Sequence, residues 1–260
     1  MKKIFFLLLV SCVAAALSAA DQRLERSEPA ERRFRIDGIQ EMKIDPCRAR
    51  LLVKYYIDPA VSQPCFIDAF IPDGVDRSGF EIKSAGGRRG IAKGEQPFNE
   101  QVAVHLHFLG SRPLESARVE VTIRDASGPL YSKTFPWSRL WARFAIQGIR
   151  PVQVAPDFAR ILVRYFIDPS YPDACYISGF VSGTDNSNND FINVPAGFNP
   201  NGVAKGQNNF SDNVYFDLIY KGAVTYRSSM MDVIIYRGPK QNLLTVPFPW
   251  EKAWRSPVKR

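Results

Sequence analysis

Residues 49–71 read ARLLVKYYIDPAVSQPCFIDAFI, and residues 159–181 read ARILVRYFIDPSYPDACYISGFV. The second stretch follows the first at an offset of 110 with no gap. Carried back to Phe34 and Phe144, the comparison spans 38 positions, of which 16 are identical. A tandem copy of this length predicts two units of one fold. Within each copy, Leu51, Val53, Tyr55 and Ile57 alternate with Leu52, Lys54 and Tyr56. A period of two with β-branched and aromatic residues predicts a strand. Asp58-Pro59 stops it, because proline has no amide hydrogen for the ladder. A second alternating run then places Cys65, Ile67, Ala69 and Ile71 on one face. The later copy keeps that face as Cys175, Ile177, Gly179 and Val181, so this is the face expected in the core.

Outward from this pair the repeat continues. Gly90-Ile91-Ala92-Lys93-Gly94 is matched by Gly202-Val203-Ala204-Lys205-Gly206, now at an offset of 112. The added residues fall at Asp185-Asn186-Ser187-Asn188-Asn189-Asp190, an exposed loop by composition. Val102, Val104, Leu106 and Phe108 are copied as Val214, Phe216, Leu218 and Tyr220. Val119, Val121 and Ile123 are copied as Met231, Val233 and Ile235. Residues 34–44 suit a first edge strand, residues 80–83 a short strand, and residues 130–135 and 243–248 the last strand of each unit. Each unit therefore has about seven short strands and no long helix. That count, with turn signals between the strands, predicts an all-β chain of two tandem antiparallel β-sandwich units, residues 34–143 and 144–254. The pattern resembles the immunoglobulin-like and fibronectin type III-like modules of bacterial secreted proteins. The resemblance rests on strand count and spacing, and the Cys…Trp…Cys signature of antibody domains is absent.

Residues 1–20 read as a signal peptide. Met1-Lys2-Lys3 is basic, residues 4–10 are apolar, and Ser18-Ala19-Ala20 precedes Asp21. A competing reading takes Leu9-Val10-Ser11-Cys12 as a lipobox, with Cys12 the lipidated residue of an envelope lipoprotein. The cleaved reading places the chain in the periplasm or secreted, and the lipobox reading makes it an envelope lipoprotein that meets a membrane through Cys12. Residues 21–33, rich in Arg and Glu, read as a flexible lead-in, and residues 255–260 as a basic tail. The formal net charge of +8 falls to +6 once Lys2 and Lys3 are removed. Such a mild excess permits an anionic partner without requiring one, and nothing points to nucleic acid.

Three cysteines remain after cleavage. Cys65 and Cys175 hold the same place in the two copies and are expected as small buried hydrophobes. Cys47 stands where the copy has Asp157. A Cys47–Cys65 bridge is not expected, because a strand lies between them and an antiparallel pair would set them roughly 25 Å apart.

Both units end in one phrase, Phe135-Pro136-Trp137-Ser138-Arg139-Leu140-Trp141 and Phe248-Pro249-Trp250-Glu251-Lys252-Ala253-Trp254, which hold all four tryptophans. Proline favours the start of a helical turn, and residues four apart would share one side of it. Trp137, Trp141, Trp250 and Trp254 could plug the sandwich ends or stack on sugar rings, with the plug preferred. Arg88 and Arg89, in Gly86-Gly87-Arg88-Arg89-Gly90, join the tryptophans as a candidate binding surface: the basic loop could take phosphate, but it lacks a following helix and the P-loop Lys-Ser/Thr, so an exposed hairpin turn is expected. His105 and His107 alternate onto one outward face and are expected in solvent, since no cysteine or carboxylate stands at a metal-motif spacing from them. Residues 185–190 lack the glycine and closing glutamate of an EF-hand loop. The duplicated Asp58 and Asp168 need no more than a strand-ending role. No serine sits in a nucleophile elbow.

The expectation is a non-enzymatic extracytoplasmic binding or structural protein without cofactor or metal. Its partner would be a protein or glycan of the cell envelope. The alternatives are a carbohydrate-binding protein using tryptophan platforms and a periplasmic chaperone-like protein.

Overall fold

A computed structural model describes residues 30–73, 79–94, 101–181, 190–197, 199–206, 212–238 and 241–255. The signal peptide, Cys12, most of the lead-in, the 185–189 part of the inserted loop and the tail beyond Arg255 lie outside the described residues.

Among the described residues, each unit has seven strands. The first unit runs β1 (Phe34–Ile44), β2 (Arg48–Ile57), β3 (Phe66–Phe70), β4 (Phe80–Lys83), β5 (Val102–Phe108), β6 (Leu114–Arg124) and β7 (Pro129–Trp141). The second runs β8 (Phe144–Ala155), β9 (Phe158–Ile167), β10 (Tyr176–Val181), β11 (Phe191–Val194), β12 (Asp212–Tyr220), β13 (Tyr226–Arg237) and β14 (Gln241–Trp254). The first unit has one sheet in the order β1-β2-β5-β4 and another in the order β3-β6-β7, and the second unit repeats both orders. Lettered A to G along the chain, the sheets are ABED and CFG, the constant-type immunoglobulin arrangement. Each unit is thus an antiparallel immunoglobulin-like β-sandwich. Among the described residues, no helix is long and apolar enough to cross a membrane.

The copy extends to register. Leu51 faces Val104 as Ile161 faces Phe216, and Ile67 faces Ile123 as Ile177 faces Ile235. Irregularities are copied too. The β1 ladder shifts between Ile36 and Gly38, and the β8 ladder between Ile146 and Gly148. A bulge bends and twists a strand, so copying it copies the curvature of the sheet. Alternation decides the core. Ala49, Leu51, Val53, Tyr55 and Ile57 are buried, as are Ala159, Ile161, Val163, Tyr165 and Ile167. The hydroxyl of Tyr55 donates to the Ala92 carbonyl at 2.9 Å, and that of Tyr165 to the Ala204 carbonyl at 2.9 Å. Cys47, Cys65 and Cys175 are buried free thiols.

Four expectations need correction. First, the two strands of the repeated stretch are not sheet neighbours. β2 and β3 lie in different sheets, so the Asp58-Pro59 corner carries the chain across the sandwich. Second, the Phe-Pro-Trp phrase is strand, not helical turn. It continues β7 and β14, with Phe135, Trp137, Arg139 and Trp141 alternating inward against exposed Pro136, Ser138 and Leu140. Proline is tolerated there because β7 and β14 are edge strands, where a missing N–H breaks no ladder. Third, Gly86-Gly87-Arg88-Arg89-Gly90 is no hairpin turn. Residues Gly87–Arg89 form a single 3-10 turn, after Ala85 has left β4 to bridge Ile67 in the opposite sheet. Fourth, the end of the lead-in, Ala30–Arg33, is one helical turn rather than flexible chain.

Candidate functional site at the junction of the sandwiches

Only Ala142 and Arg143 separate β7 from β8. That shortness brings the β9–β10 corner of the second unit against the β2 and β5 ends of the first. Asp168 stands at this corner, and its side chain is fully buried. Five donors surround its carboxylate. Arg143 donates Nε–H to Oδ2 at 2.9 Å, and Arg48 donates from Nη2 to Oδ1 at 3.2 Å. The Ser170 amide and hydroxyl reach Oδ1 at 2.9 and 2.8 Å. His107 Nε2 lies 3.2 Å from Oδ2. Burial pushes the carboxyl up, but the Ser170 and Arg143 hydrogen bonds and the neighbouring His107 outweigh it and hold Asp168 down at about 2. Asp168 is therefore an anion at neutral pH, enclosed by donors from both units.

The outward face of the first unit supplies the other side. Arg48 pairs with His107 across β2 and β5, and Glu81 pairs with His107 across β4 and β5. Glu81 Oε2 lies 3.6 Å from His107 Nδ1. His107 is only 16% exposed and bridges two carboxylates, so it does not stand free in solvent as its strand position suggested. His105 does stay exposed. Burial, then the Arg50 and Lys83 charges, lower its imidazole pKa. A cleft of about 480 Å³ opens here, lined by Arg48, Lys83, His105, His107, Arg143 and Ser170 among others.

Behind the cleft lies Cys47, fully buried. One ligand atom each from Cys47, His107 and Asp168 lies within 4.8 Å of the others. This set has the elements of a thiol–imidazole–carboxylate catalytic group, but not its electrostatics. Burial, then the Asp45 and Asp168 carboxylates, push the Cys47 thiol well up, whereas a nucleophile needs it lowered. As it stands, the thiol is protonated and shielded. Sequence reasoning missed this cluster because its members are 60 and 61 residues apart. The available signal was the failure of the copy: Cys47 is replaced by Asp157, Arg48 by Phe158 and His107 by Ile219.

The tryptophans lie elsewhere. Trp141 and Trp254 are completely buried and offer no stacking face. Their indole N–H groups donate to Ser116 and Ser228, each at 3.1 Å. Phe80 and Phe191 meet them edge-on at 4.9 and 5.0 Å. A cation covers each ring, Arg139 at 4.0 Å and Lys252 at 4.2 Å. Trp137 and Trp250 are half-buried against the same clusters. Arg88 and Arg89 are exposed on their 3-10 turn. Trp141 directly precedes the Ala142-Arg143 linker, and Arg139 over its ring donates to the Arg48 carbonyl at 2.8 Å, so Trp141 packs behind the junction and does not line the cleft.

No family model and no curated protein matches the chain. Among solved structures, it is similar to a two-domain fibronectin type III segment of chicken tenascin. The identity is 10% over 84% of this chain and 99% of that one, with a TM-score of 0.27. It is also similar to a marsupial T cell receptor, at 10% identity over 82% of this chain and 62% of that one, with a TM-score of 0.20. These likenesses name no particular family.

Proposed function

We propose that the chain is a non-enzymatic binding or structural protein that works outside the cytoplasm as one stiff two-module unit. The observation that carries this reading is the burial of Asp168. A carboxylate enclosed by donors from both sandwiches fixes their mutual angle, as two independently tumbling modules would not require. Such an arrangement holds exposed surfaces, among them the Arg88–Arg89 turn, at a constant spacing for a partner in the cell envelope. The reading of residues 1–20 as a cleaved signal supports the location.

The test has two arms. Cell fractionation with mass spectrometry of the mature N-terminus should find the chain outside the cytoplasm and beginning at Asp21. A chain retained in the cytoplasm with Met1 in place overturns the location, and a diacylated Cys12 replaces the soluble form by a lipoprotein. For binding, a photo-crosslinking residue at Arg88 or Arg89 in intact cells should give one discrete adduct with an envelope protein or glycan. Absence of any adduct from either position or from the cleft residue Lys83 overturns the binding reading.

A further inference from the structure

We propose that Cys47, His107 and Asp168 hold a single thiophilic divalent cation, with zinc as the preferred ion, at the junction of the two sandwiches. The three donors are a thiol, an imidazole and a carboxylate, the ligand types that zinc takes in tetrahedral sites. Ligands about 2.0–2.3 Å from a tetrahedral ion sit roughly 3.3–3.8 Å from one another. His107 Nε2 and Asp168 Oδ2, at 3.2 Å, are close to that spacing already. Cys47 completes a set whose members all lie within 4.8 Å, so an inward adjustment of about an ångström closes it.

The surroundings suit ligation. Glu81 faces the far nitrogen of His107 at 3.6 Å, the position from which an outer carboxylate orients a metal-bound imidazole. Ser170 and Arg48 hold Oδ1 of Asp168, and Oδ2 accepts Arg143 Nε–H and the Ser170 hydroxyl, each at 2.9 Å, so an ion takes the place of the His107 contact on Oδ2 and these donors hold the carboxylate from behind. With Cys47 as thiolate, four anions meet here, Cys47, Asp45, Glu81 and Asp168, against Arg48 and Arg143 at Asp168 and Lys83 at 3.7 Å from Glu81, so a divalent cation meets a net negative site. Asp45 belongs to this group because its Oδ1 accepts the Cys47 amide at 2.9 Å. Binding releases the Cys47 proton to solvent, and the ion supplies the charge that keeps the thiolate ionised. His107 also lines the cleft, which provides an entry path and room for water as a fourth ligand.

Divergence between the copies points the same way. Register and bulges are shared, yet Cys47 and His107 have Asp157 and Ile219 in their places, and Asp58, the copy of Asp168, caps a turn. The ion pairs of the junction account for Arg48, His107 and Arg143. They make no use of the Cys47 thiol, and the cation does.

The experiment is cobalt(II) titration of the chelator-stripped, reduced mature protein, followed by displacement with zinc. One equivalent should bind, with a thiolate-to-cobalt charge-transfer band in the near ultraviolet. Cys47→Ala and Cys47→Ser should abolish the band, and Glu81→Gln should weaken binding about 10–100-fold. His105→Ala should leave affinity unchanged. A folded wild-type protein that gives no band overturns the proposal. So does a band that persists in Cys47→Ala, or equal zinc affinity in wild type and His107→Ala.

Discussion

Arg143 and Asp168 are joined twice. Arg143 donates its Nε–H to Asp168 Oδ2 at 2.9 Å, and its carbonyl accepts the Asp168 amide at 2.8 Å. The backbone half of this pair is duplicated, since the Asp58 amide donates to the Arg33 carbonyl at 2.9 Å. The turn bond is shared too, since the Asp58 carboxylate accepts the Ala60 amide at 2.8 Å as Asp168 accepts the Ser170 amide at 2.9 Å, and the Arg143 side chain is added to that shared turn at Asp168. A local device for ending a strand has thus become an anchor between domains in one copy only.

Asp168→Asn should cost about 3 kcal/mol, because it leaves Arg143 beside a neutral group in a buried setting. Asp58→Asn should cost less than about 1 kcal/mol, since only a solvent-accessible turn is affected. Urea unfolding of the two variants measures the difference. Small-angle scattering should also show a wider spread of inter-unit angles for Asp168→Asn alone.

Acid should loosen the junction in a defined window. The Asp168 carboxyl is depressed from an ordinary value of 3.8 to about 2. A depressed folded-state pKa means that the native protein binds fewer protons, so the stabilisation is complete above the ordinary value. It falls as pH drops from about 4 and is gone below about 2, a loss of roughly 2 kcal/mol. Chelator-treated wild type and Asp168→Asn, melted in parallel from pH 6 to pH 2, should converge at the acid end. A constant gap across that range would contradict the assignment.

Trp141→Ala and Trp254→Ala should each cost about 3–5 kcal/mol, through a large cavity in a fully packed sandwich end. Ser116→Ala and Ser228→Ala, which strand the indole N–H in the core, should cost about 1–3 kcal/mol. Trp137→Ala, at a half-buried position, should cost less than Trp141→Ala. Thermal melts decide, and equal losses for Trp137 and Trp141 would remove the plug as the explanation.

Gly90 and Gly202 hold the same strained place at φ 75° and 69°, and a Cβ on either would meet the carbonyl of Cys65 or Cys175. Gly202→Ala should therefore destabilise by more than about 2 kcal/mol, combining backbone strain with a clash. Gly87→Ala, at φ 51° with open space around the new methyl, should cost about 1 kcal/mol.

The duplication, the seven strands, the inward residues of β2 and β9 and the buried Cys65 and Cys175 were all legible in the sequence. Each is written in a period of two within a few residues, or in two copies that can be laid side by side. The Phe-Pro-Trp phrase was misread because proline fits both a helix start and an edge strand, and only the sheet order says which applies. Nothing local separates Asp58 from Asp168, or His105 from His107. Their difference comes from what the two-residue linker presses against them, and Cys47 and His107 are 121 and 61 residues from Asp168 along the chain. Two sandwiches and their cores are written along the chain, because burial of alternating side chains is a short-range pattern. The junction is written only in the packing, because a buried charge takes its partners from wherever the folded units meet.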